Sequence, residues 1–290
     1  MTRKWRARIF VIPVLVLILG ITIFPLIYSL GISLTYYYLP AGISPVFVGV
    51  ENYITAFQDP EFWNSLKITF KIAIPALFLE FFIGFALALL LNGIKKGRTV
   101  IASFLTTPVM IAPAAAAMAF RLLYHPEYGP INAFLSVLSN KPVKIDWLGS
   151  PNISFFSILL VDVWQMTPFI MLILLAGLSS IPEELYESAR IDGSSSFQIF
   201  KYITLPLLKL PIIVAILIRV IDLLKFFDLV YVLTMGGPAR TTETITFFTY
   251  FAGLRFFRVG YGAALSFILL FIVVGLTSLF LKVTKLKEIA

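Results

Sequence analysis

Long apolar runs dominate this chain, and polar residues come in short bursts between them. A segment needs about 20 mostly apolar residues to cross a hydrocarbon core. Six qualify: 9–30, 69–92, 99–121, 154–179, 207–231 and 261–281. The fifth is the most interrupted, by Lys209, Arg219, Asp222, Lys225 and Asp228. The third carries Pro108 and Pro113 and is expected to kink or break. Its freed backbone groups would then be met by neighbours or by a water-lined cavity. The pattern predicts an all-α integral membrane protein with six transmembrane helices.

Composition agrees. Hydrophobic residues make up 59% of the 290 positions and charged residues 13%. Soluble domains carry about 25% charged residues, so lipid must solvate this chain. There is no cysteine, and one histidine, His125, falls in a loop; neither a disulfide nor a metal centre is expected. The net charge of +8 reads as basic anchors at a membrane face rather than as a nucleic-acid surface. The basic stretch before the first apolar run has the look of a signal peptide. However, Ser33-Leu34-Thr35-Tyr36-Tyr37-Tyr38 offers no small-residue cleavage site, so the run is read as an uncleaved anchor.

Lys and Arg in the short connections orient the spans. With the N-terminus inside, the inner segments hold Arg3, Lys4, Arg6, Arg8, Lys95, Lys96, Arg98, Arg190, Lys201, Lys282, Lys285 and Lys287. The outer loops hold Lys67, Lys141, Lys144, Arg240, Arg255 and Arg258, twelve against six, or twelve against eight once Lys71 and Arg121 at helix ends join the outer set. Both termini are therefore expected in the cytoplasm, along with the polar loop 180–206. Three regions follow: 1–68 (tail, first helix and outer loop), 69–281 (five-helix core) and 282–290 (cytoplasmic tail).

The loop has its own local grammar. Ser180 and Glu183 form a capping-box pattern with Pro182 in the first turn, and Ser195 and Gln198 repeat it. Gly193 is placed to end the first helix in a left-handed conformation, and Pro206 marks a kink or boundary. Two short helices around a glycine turn could insert into a groove of a partner protein or lie on the bilayer surface.

The spacing decides between these by resemblance. Glu187-Ser188-Ala189, three residues, Gly193, nine residues, then Ile203-Thr204-Leu205-Pro206 resembles the Glu-Ala-Ala loop of permease subunits of ATP-binding-cassette importers, with Ser188 in place of the middle Ala. Three further runs resemble the carbohydrate branch of that family: Val48-Gly49-Val50-Glu51-Asn52-Tyr53, Asp162 through Phe169, and Asp228 through Pro238 continued by Thr241-Thr242-Glu243-Thr244 and Tyr250. The resemblance implies a type I ABC importer permease fold in a prokaryotic inner membrane. It also implies two ABC ATPase subunits that hold the ATP and Mg, a second and different permease chain, and an external solute-binding protein. In that frame Glu184, Glu187, Ser188, Ala189, Asp192, Gly193, Ile203, Leu205 and Pro206 form the ATPase-coupling loop. No ATP site is expected here. The nearest approach to a P-loop, Gly97-Arg98-Thr99, has Asn92 where the first Gly belongs and Arg98 where the Lys belongs.

Charges inside the membrane are expensive, which makes them functional or paired. Glu80 lies mid-way along the second segment and Asp162 early in the fourth. Arg219, Asp222, Lys225 and Asp228, spaced by three, are expected to neutralise one another along one helix, with Lys225 snorkelling outward. Asp162, Trp164 and Gln165 combine hydrogen-bonding groups with an aromatic face, as sugars require; Trp164 also fits an interfacial belt. The substrate-path candidates are Asp162, Trp164, Gln165, Phe169, Phe227, Asp228 and Tyr231. Cargo could be a sugar, oligosaccharide, polyol or glycerol phosphate. Alternatives are an importer for amino acids or peptides, and a small ion-coupled secondary transporter. The chain shows no internal repeat to support the latter. An enzyme is not expected, for want of a nucleophile, base or metal cluster.

Overall fold

The structure is a computed structural model that describes residues 12–94 and 96–284. The basic residues Arg3, Lys4, Arg6, Arg8, Lys95, Lys285 and Lys287 lie outside the described residues, as does the start of the first apolar segment. The described chain divides into two compact units, Met1–Trp63 with Phe248–Ile272, and Asn64–Phe247 with Val273–Ala290.

In the first unit, helix α1 (Ile12–Ser33) exposes all its faces, as a lipid-bathed span does. It leads into a two-stranded antiparallel ribbon, β1 (Thr35–Tyr36) and β2 (Val46–Phe47). Helix α2 (Glu51–Gln58) follows. The Asn-Tyr pair of the 48–53 run has a structural task. Asn52 Nδ2 donates to the carbonyls of Ser33 (2.9 Å) and Thr35 (2.8 Å), and the Tyr53 hydroxyl shares a 2.7 Å hydrogen bond with Ser33. The two Asn52 bonds satisfy backbone acceptors freed where α1 ends.

The second unit is built on long helices. Helix α3 (Pro60–Gly93) starts nine residues ahead of the predicted segment at 69, because Asp59 accepts from the Glu61 N–H at 2.8 Å and sets its first turn. Helices α4 (Arg98–Met110) and α5 (Pro113–Leu123) meet at a 91° bend, so the expected break in the third segment is real. Helix α6 (Pro130–Ser139) lies in the connection to α7 (Ser154–Ser179). His125 sits in the turn before α6, where its Nδ1 accepts from the N–H groups of Glu127 and Tyr128. Helix α7 is the core: Ile170, Met171, Leu174 and Leu178 pack with Ala88 and Leu91 of α3. Helices α8 (Glu183–Ile191) and α9 (Ser196–Ile199) form the polar loop. After it come α10 (Lys209–Leu224), α11 (Asp228–Leu233), α12 (Ile245–Tyr250) and α13 (Val259–Val283).

The predicted span 207–231 is corrected. It is a 16-residue helix, α10, followed by a break at Lys225–Phe227, where Phe227 leaves helical geometry at φ −133°. Four helices among the described residues are long and apolar enough to span, and the bent α4–α5 pair makes a fifth. Hydrophobic content alone did not reveal the break.

The charge ladder is corrected as well. Arg219 turns across the bundle instead of along its helix. Its Nε and Nη2 donate to both oxygens of Glu80 on α3, at 2.6 and 2.8 Å, and Nη2 also donates to Asp162 Oδ2 on α7 at 2.6 Å. The three side chains are 2, 0 and 2% exposed. A planar guanidinium with five donors can serve two carboxylates at once, which an ammonium could not do with the same geometry. Asp222 and Lys225 make no ion pair with each other among the described residues, and Lys225 faces a cavity described below.

Three helices thus meet at one buried cation. Arg219→Ala, which strands two carboxylates, is expected to destabilise the protein by about 3–5 kcal/mol. The triple replacement Glu80→Gln, Asp162→Asn, Arg219→Met should recover most of that loss. Thermal unfolding of the detergent-solubilised protein checks both; equal melting of wild type and Arg219→Ala would show the triad to be dispensable.

Candidate functional site

The polar loop is folded and presents most of its surface. Ser180 does not open α8: its hydroxyl donates back to the Gly177 carbonyl at 2.7 Å, closing α7, so the Ser180–Glu183 capping box is not formed. Pro182, at ψ 134°, makes the entry to α8 instead. The other end follows the sequence. Ser194 N–H bonds the Ala189 carbonyl at 2.9 Å and Gly193 N–H bonds the Arg190 carbonyl at 3.1 Å, the pair of bonds that closes a helix through a left-handed residue. Gly193 takes φ +77°, a conformation that side chains disfavour, with open space around it. Ser195 and Gln198 then make the second capping box, with 2.7 and 3.4 Å bonds.

Three contacts brace the loop. Ala189 is the buried residue of α8, which explains a small side chain at that position of the motif. The Tyr186 hydroxyl reaches Thr204 Oγ1 at 3.3 Å, and Phe200 packs on Phe85 of α3 at 5.9 Å between ring centroids. Much of the rest faces out. Glu184, Glu187, Ser188, Asp192 and Gly193 are exposed, with Ile191 at 86% and Phe197 at 70%. Exposed carboxylates beside large exposed apolar side chains on a fixed scaffold make a surface for a partner. Ile203 is half-buried in the π-helical turn Phe200–Thr204, and Leu205 and Pro206 in the short turn that follows are exposed.

The second locus is a cavity of about 330 Å³ beside the triad. Asp162 and Gln165 come from α7, Pro113 from the α4–α5 bend, Asp222 and Lys225 from the end of α10, and Phe227 and Asp228 from the break into α11. Both helix breaks of this unit therefore open onto the same space. Gln165 is 1% exposed; its Nε2 donates at 2.8 Å to the Ile111 carbonyl, a backbone acceptor freed by the α4–α5 bend, while its Oε1 has no hydrogen-bond partner. An orphaned buried acceptor on a cavity wall is unusual in a folded protein and suits a donor that arrives from outside. Asp162 gives Oδ2 to Arg219 and also lines this wall.

The other path candidates divide. Tyr231 stacks on Phe227 at 5.3 Å, 24° from parallel. Trp164 does not line the cavity: it is 41% exposed and meets Phe120 edge-on at 5.0 Å. Phe169 packs against the apolar core cluster. The Thr241–Thr244 run holds the segment beyond the Gly-Gly-Pro turn in place. Thr242 bonds the Gly237 carbonyl and the Thr234 hydroxyl, both at 2.7 Å, and Thr244 bonds the Phe226 carbonyl at 2.8 Å. The importance of Glu80 to this wall was not legible beforehand, since its partner lies 139 positions away. Among the described residues no cluster of three or more His, Cys, Asp or Glu is placed to hold a metal ion.

Comparison with known proteins places these features. The chain is 39% identical over 282 residues to the trehalose/maltose transport system permease protein MalF of Thermococcus litoralis, covering 96% of this chain and 93% of that one. It is 34% identical over 279 residues to the sulfoquinovosyl glycerol transport system permease protein SmoG of Agrobacterium fabrum, covering 95% and 89%. Among solved structures, a chain of a bacterial ABC transporter that imports the acidic polysaccharide alginate has the same fold, with a TM-score of 0.85 at 23% identity over 98% of this chain and 96% of that one. A chain of an amino acid ABC transporter with histidines aligns at 0.52 and 17% identity over 82% of this chain and 98% of its own. The family model for the inner membrane component of binding-protein-dependent transport systems matches residues 81–283. With its type I importer permease fold, its exposed loop and its membrane cavity, the chain belongs to that family of binding-protein-dependent inner-membrane transport components.

Proposed function

We propose that this chain is the membrane-spanning subunit of an ATP-driven importer for a carbohydrate delivered by an external binding protein. The near-full-length likeness to a trehalose/maltose permease carries the cargo class. The amino-acid alternative is the weaker one, because the fold likeness on that side is looser and leaves part of the chain unmatched. In this reading both termini are cytoplasmic, a second and different permease chain completes the path, and two ATPase subunits hold the ATP and Mg.

The loop α8–α9 is the coupling element. Glu187 offers a carboxylate to the ATPase, Ile191 and Phe197 fill its groove, and Gly193 fixes the angle between the two short helices. Movement of the ATPases reaches the bundle through Phe200, packed on Phe85 of α3, with Tyr186 bracing α8 on Thr204. At the cavity, Gln165 Oε1 and the carboxylates of Asp162 and Asp228 accept hydrogen bonds from sugar hydroxyls, and the Phe227–Tyr231 stack offers an apolar face. Trp164 serves as packing and belt residue instead.

Three outcomes are expected. Gly193→Val forces a branched side chain to φ +77° at a cost of about 1–3 kcal/mol. It should reduce ATP-driven uptake by roughly tenfold or more at equal membrane abundance, measured with radiolabelled sugar in cells carrying the whole importer. Asp228→Ala should lower uptake while purified complexes keep all subunits; unchanged uptake would remove Asp228 from the path. A thermal-shift screen of the cognate binding protein against sugars, polyols, glycerol phosphates and amino acids should give its large shift with a carbohydrate. Stabilisation by amino acids alone would overturn the cargo class, and uptake abolished by protonophores in ATP-replete vesicles would favour an ion-coupled transporter.

A further inference from the structure

A cavity of about 610 Å³ lies in the first unit, and none of its lining residues belongs to the polar loop or to the candidate path. We propose that it is a binding site for the phosphate of a membrane phospholipid. Its walls include Tyr36, Tyr38, Asn52, Arg255, Arg258 and Tyr261.

The depth of the cavity follows from the backbone. Helix α1 ends at Ser33 and α13 begins at Val259, both being candidate spans. The Gly260 N–H bonds the Tyr37 carbonyl at 3.3 Å, and Tyr38 pairs with Arg258 as an antiparallel bridge. The approach is close enough that a Cβ on Gly260 would stand 2.0 Å from the Thr35 carbonyl oxygen. The two spans therefore leave the hydrocarbon at one level, and the cavity sits at that level, among lipid headgroups. Tyrosines are at home there, with ring in the apolar zone and hydroxyl in the polar one. Exposed Leu254, Phe256 and Phe257 flank the opening. Such a patch is costly in water and suits contact with acyl chains.

The charge of the walls selects the ligand. Two arginines face one acid, Glu51, which leaves a net +1. Neither arginine enters an ion pair among the described residues. Arg258 is also held in place: its guanidinium lies over the Tyr261 ring, 4.3 Å from the centroid. The Tyr261 hydroxyl is in turn fixed on Asp59 Oδ2 at 2.8 Å. Stacking occupies the face of a guanidinium and leaves its in-plane N–H donors available, the geometry that grips phosphate oxygens two at a time. Neutral carbohydrate would leave the net positive charge uncompensated. A phosphodiester, with its single negative charge, neutralises it, and its chains cover the flanking rings.

The test uses native mass spectrometry of the intact importer in detergent with phosphatidylglycerol or the phosphate-free digalactosyldiacylglycerol. Wild type is expected to retain phosphatidylglycerol roughly tenfold better than the galactolipid, and Arg255→Gln/Arg258→Gln to lose that preference. Arg258→Lys keeps the charge and loses the fork, so it should fall between the two; it also supplies the comparison if the double variant does not assemble. Equal retention of both lipids by wild type, or an undiminished preference in the double variant, would overturn the site. Displacement of the lipid by millimolar inorganic phosphate would make it a free-anion site, and displacement by maltose or trehalose would make it a cargo site; either overturns the lipid assignment.

Discussion

The bundle turns on one guanidinium. Arg219 joins three helices whose sequence positions are far apart, and it does so where water cannot share the load. An unpaired charge at that depth would cost several kcal/mol, so each member of the triad demands the other two. The apolar packing of α7 against α3 is generous but unspecific, because many registers of leucine and alanine bury similar area. Two bidentate-capable carboxylates and one fork allow far fewer. The triad therefore fixes how α3, α7 and α10 face one another, and with them the wall of the adjoining cavity.

That cavity exists because helices fail at two places. The α4–α5 bend and the break after Leu224 both release backbone groups that a straight span would have satisfied internally. Gln165 answers one of them, through the Ile111 carbonyl, and Thr244 answers another, through the Phe226 carbonyl. Irregular backbone inside a membrane is tolerated where protein or a water-filled space receives it. The break region of α10 and α11 and the orphaned acceptor of Gln165 belong to the same space, so structural necessity and the passage proposed for a polar solute coincide.

The polar loop α8–α9 shows the opposite strategy. Here the end of α8 and the start of α9 are closed locally, by a left-handed glycine end and a capping box. Local closure makes the loop rigid without burying it, which leaves its acids and its large apolar side chains for a partner. Phe200, against Phe85 of α3, attaches this piece to the bundle, and Tyr186 ties α8 to Thr204.

Sequence by itself determined what depends on neighbours along the chain: the apolar spans other than 207–231, the break announced by Pro108 and Pro113, the glycine turn at 193 and the Ser195–Gln198 cap. These are local, because hydropathy, proline and glycine geometry and capping bonds act within a few residues. It misassigned Ser180, since a serine between two helices can close one or open the next, and only the Gly177 carbonyl beside it decides. It also misread the 219–228 charges as a ladder. Spacing by three permits contact along a helix but says nothing of Glu80 and Asp162 waiting across the bundle at the same depth. Which carboxylate meets Arg219, that Trp164 turns away from the cavity while Gln165 turns in, and that Arg258 is braced on Tyr261 are decided by tertiary structure alone. Long-range electrostatic pairing is a property of which helices become neighbours, and that information is spread over the whole chain.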